Sequence, residues 1–160
     1  MAASEIFEKI KDARWRTKNY YVSETDITTF TNTFLSPALI GKDKIAHPIM
    51  IFGIVNYLTY SLEDVSPKGD TQYNMYDSIM EEFGYRAAGG GDGGHFNLEM
   101  LKPVVPGSTI YGDLKITGLS QSKSRPDLWI WTRHWTVKER EDQSIYFEFD
   151  QNAIHFYTHE

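Results

Sequence analysis

The 160-residue chain contains no cysteine. That removes disulfide frameworks, thiolate metal sites and cysteine nucleophiles together. It also lacks any run of roughly 20 predominantly apolar residues, the length a bilayer-crossing helix needs. Its longest apolar stretch, His47 to Leu62, is interrupted by Asn56, Thr59 and Ser61. No Lys/Arg cluster appears and the formal net charge is −6, which disfavours binding to the phosphates of a nucleic acid. The opening Met1-Ala2-Ala3-Ser4-Glu5 has no basic segment leading into an apolar one, the pattern of a signal peptide. The expectation is a soluble cytoplasmic protein with neither nucleic acid nor membrane as partner. There is no G-x-S-x-G nucleophile elbow. The five histidines, His47, His95, His134, His155 and His159, include no pair at the spacing of a helical metal site. No metal and no cofactor are expected.

What is present is core-forming material. Hydrophobic residues make up 41% and aromatic residues 14% of the chain, enough for one globular domain spanning 1–160. Pro48 stands where a helix can begin, because the missing N–H of proline is unpaired in a first turn anyway. Behind it the run from Ile49 to Leu62 is apolar on almost every face, which predicts a buried central helix stopping around Glu63-Asp64. Upstream, Ser4 is read as the cap of a short helix carrying Ile6, Phe7 and Ile10. Tyr20-Tyr21-Val22 reads as a short strand. Ser23 with Asp26 three residues on resembles a capping box, opening a helix with Ile27, Phe30 and Phe34 on one face. Ser36-Pro37 ends that helix, and 38–47 is a loop.

Downstream of the central helix, 73–83 is read as a short helix or lid-like insertion and Gly84–Gly94 as a glycine-rich loop. Alternation then takes over. Phe96, Leu98 and Met100 precede a turn-rich segment ending at Gly107. Ile110, Gly112, Leu114 and Ile116 share one strand face, Trp129, Trp131 and Trp135 another, and Ile145, Phe147 and Phe149 a third. The sum is α+β: an antiparallel sheet wrapped around a central buried helix.

Few stretches carry chemistry. Gly89 to Gly94 matches G-x-G-x-x-G in letters, but a strand pattern follows it where the dinucleotide fingerprint needs a helix. His47 directly precedes the central helix and can either cap it or point into a cavity beside its N-terminus as an acid/base. Asp92 and His95 form a second candidate acid/base pair, against the plainer reading of a turn Asp and a surface His. The tryptophan stripe reads as core or as the centre of a dimer interface. His134, on the opposite strand face, reads as solvent-side or interfacial.

Three stretches carry a resemblance to the MaoC-like hydratase/dehydratase family of the hot-dog fold. Val22-Ser23-Glu24-Thr25-Asp26-Ile27-Thr28-Thr29-Phe30 is similar to its opening V-T-E-x-D-I-x-x-F. Pro48-Ile49-Met50 to Gly53 resembles its P-I-V-H-G-M entry to the hot-dog helix, and Phe96 to Gly107 its strand and turn F-x-x-P-V-x-x-G-D. The resemblance implies reversible hydration of an enoyl thioester, as a homodimer or as a heterodimer with another hot-dog subunit. In that family an Asp and a His activate one water, and a backbone N–H at the helix start polarises the thioester carbonyl. Anchored on Pro37, those positions here hold Phe34 and Leu39, which exchange no proton. Gly107-Ser108 replaces the family's Gly-Asp. Gly53 matches the oxyanion donor, and Phe34, Leu39, Pro48 and Phe52 are expected to line the acyl pocket with it.

Two functional classes follow. One is a hydro-lyase or related enzyme on an acyl-CoA, acyl-carrier or polyketide-like substrate, its acid/base relocated to His47, Asp92 or His95. The other is a non-catalytic hot-dog subunit that binds the acyl chain or completes the active site of a dyad-bearing partner. The unusual 70–94 stretch tips the expectation slightly towards the enzyme.

Overall fold

The computed structural model describes residues 2–35, 45–58, 62–67 and 75–159, without the side chains of 75 and 92–96. Its elements run α1 (Ala3–Ile10), β1 (Trp15–Arg16), β2 (Tyr20–Tyr21), α2 (Glu24–Phe34), α3 (Pro48–Leu58), β3 (Glu63–Asp64), α4 (Met75–Glu82), β4 (Tyr85–Met100), β5 (Thr109–Gln121), β6 (Leu128–Glu139) and β7 (Ile145–His159). The strands form one antiparallel sheet in the order β3-β1-β5-β6-β7-β4, with β2 also paired to β5.

Alternation along β5, β6 and β7 sorts their side chains onto two faces. The inner face carries Leu114, Trp135 and Phe149 in one cross-strand row, all essentially without solvent exposure. Trp129 and Trp131 are equally buried, so the tryptophan stripe is core. Burying side chains of this size stabilises the fold by about 1.5–3 kcal/mol each.

α3 lies across that row. Phe52 meets Phe149 edge-on, with ring centroids 5.3 Å apart. The approach of Val55 depends on Gly112. A Cβ built at Gly112 would stand 3.1 Å from the Trp135 ring and 3.2 Å from Val55 Cγ1, closer than a neighbour tolerates without yielding. α1 covers β5 through Ile6 and Ile10. α4 covers the far end, with Tyr76 4.9 Å from the Trp131 ring and 4.4 Å from that of His155.

The capping box at Ser23 is formed. The Asp26 amide donates to Ser23 Oγ at 3.0 Å and the Ser23 amide donates back to Asp26 Oδ2 at 3.0 Å. Hydrogen bonding from Ser23 holds the Asp26 carboxyl below its usual range.

Several expectations need correction. α1 begins a residue before Ser4, and the Ala2 amide donates to the Glu5 carboxylate at 3.0 Å. The reach of the Glu5 side chain back over the first turn takes the capping role from Ser4. Gly84–Gly94 is not a loop: Tyr85–Met100 is one long edge strand on β7, with register shifts between Ala87 and Gly89 and between Asp92 and Phe96. Gly90 is required there, since a Cβ would come within 2.4 Å of His155 Nδ1. Glu63-Asp64, read as the end of the central helix, is strand β3 on β1.

α3 is also not buried all round. Ile51 and Val55 are, but Ile49 is 62% and Tyr57 75% exposed, and Gly53 between them is exposed too. The sheet can cover only the side of the helix that faces it. No helix among the described residues is long and apolar enough to cross a membrane.

Candidate functional site

α2 and the start of α3 meet in an aromatic corner. The Phe34 and Phe30 rings, one turn apart on α2, have centroids 5.1 Å apart. Phe30 stacks in turn on His47, 6.4 Å away at an interplanar angle of 23°. Phe34 is 72% exposed. The segment entering α3 is held in place by the Ala46 amide, which donates to the Val104 carbonyl at 2.9 Å.

His47 occupies the N-cap position of α3, and its Nδ1 accepts from the Ile49 amide at 3.2 Å. Capping uses one of the donors that a helix start leaves free. An Nδ1 that accepts this bond is occupied and does not serve as a base. Gly53 is the sixth residue of α3. Its amide therefore belongs to the helical ladder rather than to the free first turn. A Cβ there would meet nothing within 4 Å, so Ile49, Gly53 and Tyr57, spaced four residues apart, form an open apolar strip beside the corner.

The structure thus links Phe34 to His47 through Phe30, with Pro48 following His47 as the first residue of α3 and Gly53 on the exposed side of that helix. Phe52 faces the other way, onto Phe149. Leu39 lies outside the described residues. Asp92 and His95 belong to edge strand β4, where Asp92 pairs with Ala153 and His95 falls in the irregularity before Phe96; their side chains are not among those described. The G-x-G-x-x-G letters sit inside this same strand, without the strand-to-helix turn that the fingerprint requires. Ser108, the replacement for the family's Asp, is buried with its Oγ 2.8 Å from Tyr146 Oη. That phenol donates to Glu139 Oε2 at 2.5 Å. Burial, then the Glu139 hydrogen bond, pushes it up to about 12.

The sequence reading passed over three polar groups of the inner face. Arg133 and Gln151 are buried opposite each other on β6 and β7, and the Arg133 guanidinium lies 6.0 Å from the Tyr76 ring. Tyr157, farther along β7, is also buried, and burial followed by the Asp77 carboxylate holds its phenol far above the usual range. The available signal was parity: Arg133 stands between Trp131 and Trp135 on the same face. Among the described residues no group of three His, Asp or Glu side chains has the geometry of a metal site.

A sheet wrapped on its inner side around one helix, with an open corner at that helix's start, defines the hot-dog fold. Solved structures agree. A MaoC-like dehydratase from Rhodospirillum rubrum superposes with a TM-score of 0.61 at 18% identity, covering 93% of each chain. The ChsH1-ChsH2 complex from Mycobacterium tuberculosis gives a TM-score of 0.64 at 14% identity, over 96% of this chain and 90% of the other. The HadBC 3R-hydroxyacyl-ACP dehydratase complex from the same organism gives 0.60 at 11%, over 90% and 96%. No family model matches the sequence, and no curated protein matches it. At these identities the likeness defines the fold, which this chain shares with MaoC-like dehydratases.

Proposed function

We propose that this chain is an acyl-thioester-binding hot-dog protein of the enoyl hydratase/dehydratase type, whose reacting site is completed by a different hot-dog chain. The observation that carries the reading is the corner itself. It is open and aromatic, it abuts the exposed Ile49–Gly53–Tyr57 strip, and its titratable side chain, His47, is engaged as a helix cap.

In this reading the acyl chain lies along Phe34 and the exposed side of α3. The His47 Nε2–H donates to the thioester carbonyl oxygen, where negative charge develops as water adds to or leaves the adjacent double bond. The base that moves the water's proton comes from the covering subunit, because Phe34 and Leu39 stand where the family keeps its dyad. Two of the similar structures are two-subunit complexes, which supports such partnering. The apolar strip on α3 is the kind of surface that an obligate interface covers.

A second reading keeps catalysis within a homodimer of this chain, with His47, Asp92 and His95 as acid/base groups. It draws support from the place of His47 at the start of α3, with only its Nδ1 engaged. In both readings the substrate is an acyl thioester.

Binding can be checked by thermal unfolding with saturated acyl-CoA of increasing chain length. The unfolding temperature should climb with chain length for the wild type and much less for Phe34→Ser. No rise at any length, or equal rises in both proteins, would refute the site.

A further inference from the structure

The outer face of the sheet, on the side away from α3, carries a groove of about 270 Å³ lined by Arg14, Arg16, Lys115, His134 and Lys138 with Asp113. Its register is unusual. Lys115 on β5 stands directly opposite His134 on β6. The Trp15–Leu114 and Arg16–Asp113 pairing of β1 with β5 places Arg14 beside Lys115 on the other side. Like charges directly across a sheet are destabilising, and Arg14 and Lys115 stand so.

Four of the carboxylates around the groove, Asp113, Asp150, Glu148 and Asp64, already have partners. Asp113 accepts from Arg16 Nε at 2.7 Å and from Lys138 Nζ at 2.8 Å. Burial raises its carboxyl, but those two cations outweigh burial and hold it below the usual range. Asp150 is bonded to His134 Nδ1 at 2.8 Å. Glu148 accepts from Thr136 Oγ1 at 3.1 Å and lies 3.6 Å from His134 Nε2. On β3, Asp64 accepts from the Ser66 amide at 2.9 Å, while Glu63, across from Arg16 in the register, is exposed.

Two cations remain. Lys115 is half-buried and makes no hydrogen bond or ion pair among the described residues. Arg14 lines the groove; its Nη1 donates to the Lys11 and Ala13 carbonyls at 2.9 and 2.7 Å, and its Nε and Nη2 make no hydrogen bond among the described residues.

We propose that this groove binds a phosphoryl group of a small anionic ligand, held by Lys115 Nζ and the free edge of Arg14. A guanidinium edge and an ammonium at a concave surface suit a tetrahedral oxyanion, the first by paired N–H donors and the second as a point charge. The groove lies on the opposite face of the sheet from the aromatic corner and does not depend on the thioester reading.

The probe is inorganic pyrophosphate, titrated into the full-length protein and followed by amide NMR shifts and thermal unfolding. Shifts should centre on 14–16, 113–116 and 133–136, with a rise in unfolding temperature. Lys115→Gln and Arg14→Gln should each weaken binding by about tenfold, the loss of one charge-assisted hydrogen bond. Without ligand, Lys115→Gln should be at least as stable as the wild type, because it relieves the like charges of Arg14 and Lys115. Parallel titrations with inorganic phosphate and ADP distinguish the source: equal affinity points to a free oxyanion, and tighter ADP to a nucleotide. Absence of pyrophosphate binding at millimolar concentration, or binding undiminished in Lys115→Gln, would overturn the proposal.

Discussion

The two sides of α3 are built from the same kinds of residue and do opposite things. Ile51 and Val55 face the sheet and are wholly buried, Val55 against Trp135 over the gap that Gly112 leaves. Ile49 and Tyr57, on the far side, are mostly exposed, with Gly53 between them offering no side chain. The first side is accounted for by the chain's own sheet. The second has the composition of an interior without an interior to face, which is how half of a shared core reads. In the proposed reading, stability and function are divided across one helix, and substitutions on its two sides should have different signatures.

The largest effect is expected on the sheet side. Trp135→Ala removes the floor under Val55 and should cost about 3–5 kcal/mol in chemical denaturation. Gly112→Val pushes a side chain between Trp135 and Val55 and should cost roughly 1–3 kcal/mol. If either is nearly neutral, α3 does not rest on the sheet at this point.

A third change sits away from α3, at the corner where Tyr146, Glu139 and Ser108 meet. Tyr146→Phe should cost about 1 kcal/mol for the lost hydrogen bond. It also sharpens a pH effect. The folded phenol is raised to about 12, above an unfolded value of about 10. Its contribution is therefore complete below pH 10 and is lost as the pH climbs from there through 12. The unfolding temperature of the wild type should fall across that window, and Tyr146→Phe should fall less. Parallel curves would show that Tyr146 is not the group responsible.

The smallest stability effect is expected on the far side of α3. Tyr57→Glu should change the stability of the isolated chain by less than about 0.5 kcal/mol, while sedimentation shows loss of self- or partner association. A loss comparable to that of Trp135→Ala would mean that Tyr57 belongs to this chain's own core.

The strands that build the core were legible because their side chains alternate. Ile110, Leu114 and Ile116, the three tryptophans, and Phe147 with Phe149 each fall on one face, and burial follows that parity. The glycines of 84–94 defeated the same method: without side chains they show no period, and only pairing with β7 makes them strand. Trp15-Arg16 and Glu63-Asp64 are two-residue strands, too short for any period to show. α3 was misjudged for a different reason. An apolar sequence states that a surface must be covered but not which molecule covers it. The aromatic corner was half legible, since His47 could be placed at the helix start while its engagement as the cap needed coordinates. The outer groove was not legible, because Arg14, Lys115 and His134 are distant in sequence and become neighbours only through strand register.

The central claim is that the aromatic corner binds an acyl thioester but draws its base from another chain. Its most direct test is loss of the conjugated thioester absorbance when the purified protein alone is mixed with enoyl-CoA of several chain lengths, beside thermal shifts with the saturated analogues. The account predicts binding without turnover. Turnover by the chain alone, abolished in a folded His47→Ala variant, would contradict it and place the acid/base work on this chain.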